Sequence, residues 1–404
     1  MTRLRVLAAG CAGVMLALAA CSSSPATPAS PATPAAASGT AASSTAAGAD
    51  QHAGHDHSGT PAPTAPLRPG ERFVNLSMTK PYTPAAPNGG TDEYRCLVVD
   101  PHLTKAEFLT GTQFQPGNVP IVHHAIVFAI PPEEADAARA KDAQSGGNGW
   151  TCFGNDALGQ DAKQDWVDTW TPNGAEALLQ QDVGFPLQPG SLLILQIHYN
   201  LLAVAGHTGG SDQSSVRLRL TDGTPETQQL RTMPLSAPIE LPCAAGETGP
   251  LCDRAAAVAD VAKRFGDEGE TEDALLRRCG DGTPVPGNTQ HCDYQIPTAM
   301  TVYAALGHMH LLGRSIKVEV NPGKPNAKTL LDVPNFDFDY QRFTPLATPV
   351  DVNKGDVVRV TCTHDATLHE QLPQLKTLPP RYVVWGDGTS DEMCLGLLTA
   401  TVRR

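Results

Sequence analysis

The sequence has no basic cluster. Lys and Arg number 29 against 42 Asp and Glu, a formal charge of −13 over 404 residues. Phosphate recognition needs clustered positive charge, so nucleic acid is excluded as a partner. None of the ten cysteines forms a C-x-x-C pair, which argues against a thiolate zinc site or a redox dithiol. No internal repeat of fixed period is present. The apolar run near the N-terminus, "VLAAGCAGVMLALAA" after the basic "MTRLR", is too short to span a bilayer as a mature helix.

That run ends in Leu18-Ala19-Ala20-Cys21, which resembles a bacterial lipobox. The resemblance implies a signal peptide over 1–20, lipidation of Cys21 and a cell-envelope lipoprotein anchored to the membrane there. Ser22 is compatible with outer-membrane sorting. An ordinary signal peptide cut nearby is the other reading. Both mean export, and export permits disulfides. With Cys11 and Cys21 set aside, eight cysteines remain: Cys96, Cys152, Cys243, Cys252, Cys279, Cys292, Cys362 and Cys394. An even count in an oxidising compartment reads as four bridges, with the pairing open.

Residues 21–70 are rich in Ala, Ser, Thr, Pro and Gly and hold few large apolar groups. Such a segment buries too little surface to offset its ordering entropy, so it reads as a tether. Within it "HAGHDH" (His52, His55, Asp56, His57) is either a loose transition-metal site or a solvated polar patch. From Glu71 onward short β-branched runs alternate with turn residues. "RCLVVD", "IVHHAIVFAI", "SLLILQIHYN", "SVRLRL", "TVYAALGHMHLLG", "SIKVEV", "DVVRVTC", "RYVVWG" and "LGLLTATV" all predict strands, and so many short strands suggest β-sandwiches. Residues 252–279, Ala- and charge-rich with helical spacing, predict one or two inserted helices with a cysteine at each end. The polar "TDGTPE", 221–226, marks a boundary between domains at 71–223 and 224–404.

Five histidines sit inside apolar strands: His123, His124, His198, His308 and His310. His102, His207, His291, His364 and His369 lie among turn or polar residues and read as surface groups. Buried imidazole is costly without partners. On a strand, His308 and His310 project from one face as a chelating pair, while Met309 points to the core. Adjacent His123 and His124 would point to opposite faces. Both reach one ion only if the strand bends or ends there, or if the rings use different nitrogens. His198 alone reads as a core residue. Met393, after a turn and beside Cys394, offers a soft sulfur that favours Cu(I) if it is a ligand, and packing if it is not.

Taken together and in order, "VHHAIVF", "LQIHY", "GHMHLLGR" and "GTSDEMC" resemble the copper type II, ascorbate-dependent monooxygenases. The resemblance implies a mainly β fold: two antiparallel, jelly-roll-like β-sandwiches in tandem, here with a helical insert in the second. It implies two copper ions per chain. His123, His124 and His198 would hold the electron-transfer copper, and His308, His310 and Met393 the copper that meets O2. It implies bridges Cys96–Cys152 and Cys362–Cys394. The remaining four are expected to nest, Cys243–Cys292 and Cys252–Cys279, with adjacent pairing the alternative.

Hydroxylating a C–H bond with O2 draws two electrons from outside the substrate, and each copper stores one. In the family, ascorbate supplies them. Peptide-hydroxylating members carry an arginine, an asparagine and a tyrosine where this chain has Leu306, Leu395 and Leu397. A small apolar or weakly polar substrate is therefore expected rather than a glycine-extended peptide. Gln196 is retained, either to orient a bound group or to pair with backbone. The expectation is a copper-dependent monooxygenase using O2 and a one-electron reductant. Its alternative is a copper-binding or copper-delivery lipoprotein without catalysis. A metal-free structural sandwich must explain five strand histidines.

Overall fold

A computed structural model describes residues 64–85, 92–152, 158, 162–172, 174–201, 209–265 and 271–403. Cys21, the "HAGHDH" histidines and His207 lie outside the described residues.

The fold is mainly β, as expected. The first strands are β1 Arg72–Ser77, β2 Asp92–Val99, β3 Glu107–Gln115, β4 Val122–Ile130, β5 Trp150–Thr151 and β6 Asp165–Trp170. After them come β7 Ala177–Leu178, β8 Val183–Leu187, β9 Leu192–Asn200, β10 Ser215–Thr221 and β11 Gln228–Gln229. The later strands are β12 Arg231–Ala237, β13 Thr289–Gln295, β14 Met300–His308 and β15 Gly313–Val320. They are followed by β16 Lys328–Val333, β17 Thr344–Val352, β18 Val357–His364 and β19 Cys394–Val402. Strands up to β11 form two sheets, ordered β1-β10-β3-β8-β11 (with β7 beside β3) and β5-β2-β9-β4-β6. Strands from β12 form two more, β12-β19-β14-β17 and β13-β18-β15-β16. Pairing is antiparallel apart from β11 on β8.

Two apolar clusters explain the strand patterns. One joins Leu109, Phe114, Val216 and Leu218 of the first sheet to Val127, Leu193 and Ile197 of the second. The other takes the opposite face of the second sheet, through Ile126, Phe128 and Ile194, together with Leu235, Val302, Val318, Val360 and Leu398 of the later sheets. The second sheet is thus covered on both faces. That is why β4 and β9 read as continuous apolar runs rather than alternating ones, and why histidines embedded in them are buried.

Helices α1 Pro132–Gln144, α2 Arg254–Phe265, α3 Glu272–Cys279 and α4 Leu368–Gln371 complete the elements. The first lies outside the region read as helical from sequence. Its Pro132 and acidic first turn, Glu133 and Glu134, are ordinary helix-start chemistry. The α2–α3 insert is tied to the stretch before β19. Arg254 pairs with Glu240, and Glu240 also accepts from the Tyr382 hydroxyl at 2.7 Å. Buried Glu272 accepts from the amides of Ile239 (2.9 Å) and Trp385 (3.1 Å). Arg264 grips Asp391 with both nitrogens, at 2.6 and 2.7 Å.

Three expectations are corrected. "RYVVWG" is not a strand: only the isolated bridges Val383↔Leu241 and Trp385↔Glu392 form, because this stretch packs against the helical insert instead of a sheet. His310 stands past the end of β14, in the turn that leads to β15. Finally, the four disputed cysteines pair as neighbours, Cys243–Cys252 and Cys279–Cys292, rather than nested. A turn closed by the Glu247 amide on the Ala244 carbonyl folds Cys243 back on Cys252. The end of α3 brings Cys279 within 4.8 Å (Cα–Cα) of Cys292 on β13. The bridges Cys96–Cys152 and Cys362–Cys394 are present as the resemblance implies.

Candidate metal centre

The doublet problem is solved by a bulge. The β4–β9 register shifts between Val122 and His124, while His124 sits directly opposite His198. One extra residue in the bulged strand turns His123 toward the same space as His124. The Nδ1 atoms of His123 and His124 come within 3.1 Å, and those of His198 and His124 within 3.3 Å. One ring nitrogen from each of the three lies within 4.8 Å of the other two.

The outer nitrogens are spoken for. His198 Nε2 lies 2.8 Å from Asp92 Oδ1, and His123 Nε2 lies 3.3 Å from Asp339 Oδ1. A carboxylate accepts but cannot donate, so both Nε2 atoms carry the proton and both Nδ1 atoms hold lone pairs aimed inward. Tyr94, paired with His198 across β2–β9, stacks on that ring at 4.1 Å between centroids, and Phe338 stacks on His123 at 4.8 Å. Converging lone pairs at these distances repel unless a cation or proton lies between them. The donor set therefore fits a metal ion that accepts imidazole.

The second set is built at the end of β14. The His308 and His310 rings lie 5.1 Å apart between centroids and nearly perpendicular. His308 Nδ1 lies 2.6 Å from Gln341 Oε1, and His310 Nδ1 lies 3.1 Å from the Asp391 carbonyl. Both acceptors are oxygens, so Nδ1 carries the proton and Nε2 is the lone-pair nitrogen in each ring. Residue His308 pairs with Leu395 on β19. Met393 is buried immediately before Cys394, the first residue of β19. Met309 is fully buried in the core, as expected.

The two sets adjoin. His124 and His308 are 6.4 Å apart between ring centroids, and Phe338 borders His123 on one side and His310 on the other. Burial favours the neutral form of His124, His198 and His308. It pulls His198 down to about 4 against the opposing pull of Asp92. Burial and the neighbouring His310 pull His308 down to about 3, partly countered by Gln341. Burial, then the other histidines, hold His124 well below the usual imidazole range. Neutral imidazole is the form that binds metal.

Sequence reasoning missed what holds these rings. Asp92, Phe338, Asp339 and Gln341 sit in unremarkable local contexts. The "DE" of "GTSDEMC" also has work: Asp391 takes Arg264 and Arg381, at 2.9 Å for the latter. Fully buried Glu392 accepts from the amides of His310 (2.9 Å) and Leu312 (2.6 Å). His364, expected on the surface, is buried and faces Glu392 at 3.3 Å. His369 is also largely covered, 2.6 Å from Glu247, whereas His102 and His291 are exposed as expected. Leu306 and Leu397 are buried register partners, and Leu395 is buried beside them. Gln196 is fully buried against the Cys96–Cys152 bridge, its Nε2 3.6 Å from Cys152 Sγ.

Comparison with solved structures gives only loose overlaps. The N-terminal CBM22 tandem domain of a Paenibacillus barcinonensis protein is 9% identical, with 84% of this chain and 93% of that chain covered and a TM-score of 0.15. The coconut allergen cocosin is 11% identical, with 82% and 86% covered and a TM-score of 0.16. A variant of the Bacillus subtilis oxalate decarboxylase is 11% identical, with 73% and 70% covered and a TM-score of 0.11. Residues 287–399, which include His308, His310 and Met393, match the family profile "Copper type II ascorbate-dependent monooxygenase, C-terminal domain". Over that span the chain is similar to the C-terminal domain of the copper type II ascorbate-dependent monooxygenases.

Proposed function

We propose that this protein is a copper-dependent monooxygenase with two copper ions per chain, hydroxylating a C–H bond of a small organic molecule with O2 and a one-electron reductant. The observation that carries the reading is the pair of adjoining histidine sets, in which His123, His198, His308 and His310 each have a lone pair fixed by an oxygen acceptor on the far side of the ring. His123, His124 and His198 would hold one ion through Nδ1. His308 and His310 would hold the other through Nε2, with Met393 as the soft third ligand. Copper would supply one-electron storage at each set and oxygen activation at the second.

The chain's own groups do the positioning. Asp92 and Asp339 fix the tautomers of His198 and His123. Gln341 and the Asp391 carbonyl do the same for His308 and His310. Phe338 keeps water from the His123 face. Leu306 and Leu397 pack on each other in the core, so they are not substrate walls. The case against a peptide substrate rests on the missing polar anchors alone. The same reading takes the first two sheets, apart from the short β11, as one sandwich over 71–223, the last two as a second over 224–404, and Cys21 as the lipid anchor.

Metal analysis with electron paramagnetic resonance tests this. Two copper ions per chain with distinct signals are expected. His198→Ala should lose one and keep the other, and Met393→Ala should abolish reductant-dependent O2 uptake with the His123 set still filled. Two bound ions without O2 uptake would favour the copper-delivery alternative. A single ion would contradict the two-site reading.

A further inference from the structure

Two turns from the second half of the chain reach across to the first histidine set. One, residues 337–340 between β16 and β17, is closed by the Tyr340 amide on the Asp337 carbonyl at 3.1 Å. The Asp339 amide also donates to Asp337 Oδ1 at 3.0 Å. The other, residues 388–391 just before β19, is closed by the Asp391 amide on the Gly388 carbonyl at 2.8 Å. The Gly388 amide returns a bond to Asp391 Oδ2 at 3.2 Å, and Arg264 and Arg381 hold the same carboxylate from outside. Turns braced in this way shift as units rather than residue by residue.

Each turn serves both sets. In the first, Asp339 accepts from His123 Nε2, and Gln341, one residue past the turn, accepts from His308 Nδ1. The Gln341 side-chain amide ties it back to the Phe338 carbonyl at 2.7 Å. In the second, the Thr389 hydroxyl donates at 3.2 Å to Asp92 Oδ1, the oxygen that also accepts from His198 Nε2. The Asp391 carbonyl of that turn accepts from His310 Nδ1. Both imidazoles of the second set are thus oriented by turns that also engage the first.

Order at one set therefore reaches the other. Three converging lone pairs in the first set repel unless a cation lies between them. A cation there fixes the rings, and the rings fix Asp92 and Asp339. Once those carboxylates are fixed both turns are fixed, and the second set costs less to order when it takes its own ion.

We propose that Thr389 and Asp339 are positioning residues that make the copper affinity of the His308–His310–Met393 set depend on occupancy of the His123–His124–His198 set. The proposal rests on the two-copper reading above. Cations in adjoining sets also repel each other, which opposes the effect. That repulsion is the same with and without the Thr389 hydroxyl, so a mutant cycle isolates the contribution of the turn.

The test is copper(I) titration against a chromophoric chelator, in wild type and in a His124→Ala background. That background empties the first set while Asp92 and Asp339 keep their imidazoles. The Met393 sulfur, seen in X-ray absorption, marks the second-set ion. Thr389→Val should weaken that ion about fivefold with the first set filled, and by less than about twofold with it emptied. Thr389→Ser keeps the hydroxyl and should restore the wild-type affinity. Asp339→Asn should show the same dependence on first-set occupancy. If His124→Ala does not fold, His198→Ala supplies the emptied background. Unchanged second-set affinity in both Thr389→Val and Asp339→Asn overturns the proposal. So does equal weakening in both backgrounds, which would make the turns mere supports of the fold. In either case two bound ions leave the function proposed above standing, whereas one ion or none overturns that function and this coupling together.

Discussion

Replacing Glu392 with alanine is expected to cost roughly 5 kcal/mol of stability and, on the two-copper reading proposed above, to remove copper from the second set while the first keeps its own. The side chain is fully buried and accepts from two amides, those of His310 and Leu312, with the His364 ring 3.3 Å away. Hydrogen bonds to a charged acceptor contribute about 1.5–3 kcal/mol each, and breaking a buried pair from one side costs about 3–5 kcal/mol. Two such bonds give about 3–6 kcal/mol, and the two ranges describe one loss rather than two, so about 5 kcal/mol is expected. A domain holds only about 5–15 kcal/mol in total, so the variant should be close to unfolding. The positional effect is separate. Glu392 pins the backbone of His310 just where β14 has ended and no ladder holds it. Glu392→Gln keeps one acceptor and should fall between. Urea denaturation of the metal-free chains gives the first number, and copper counts on the loaded chains give the second. A loss under about 1 kcal/mol in the alanine variant would show that the turn stands without the carboxylate.

The candidate ligands were legible because their residue types are wrong for their settings. Imidazoles inside "VHHAIVF" and "LQIHY" break an apolar pattern, and a broken pattern is visible in one dimension. Even the bulge at His123 was anticipated as the condition for both rings to reach one ion. The supporting groups were invisible for the opposite reason. Asp92 starts a strand, Asp339 and Gln341 sit in a polar loop, and polar residues in such places raise no question. Their roles come from chain crossings of 106 residues for Asp92 to His198 and 216 for Asp339 to His123. His364 was misread because its sequence neighbours are polar while its spatial neighbours are not. The same limit explains "RYVVWG", whose β-branched residues pack against α2 instead of pairing in a sheet. It also explains the cysteine pairing, where a turn and a helix end decided between equivalent options.

Asp168→Asn is expected to stabilise the protein more as pH rises. Asp168 lies on β6 with 4% exposure, and burial pushes its carboxyl up to about 7 despite hydrogen bonds from the Thr112 hydroxyl and the Thr169 amide. In the unfolded chain it titrates near 3.9. Between those values the folded state binds a proton that the unfolded state has released, so wild-type stability falls as pH climbs through this window and levels off above about 7. Three units correspond to about 4 kcal/mol at the upper end. Asparagine stays neutral, and its amide oxygen still accepts from Thr112. The carboxylates Asp337 and Asp339 and the guanidinium of Arg342 share the wall of a cavity with it, but burial is the leading cause of the shift. The variant's advantage should therefore grow by roughly 2–3 kcal/mol from pH 5 to pH 8, read from urea melts of metal-free protein at both values. An advantage that is the same at both would mean that Asp168 is already ionised at pH 5, and that the cavity floor is wetter than its burial implies.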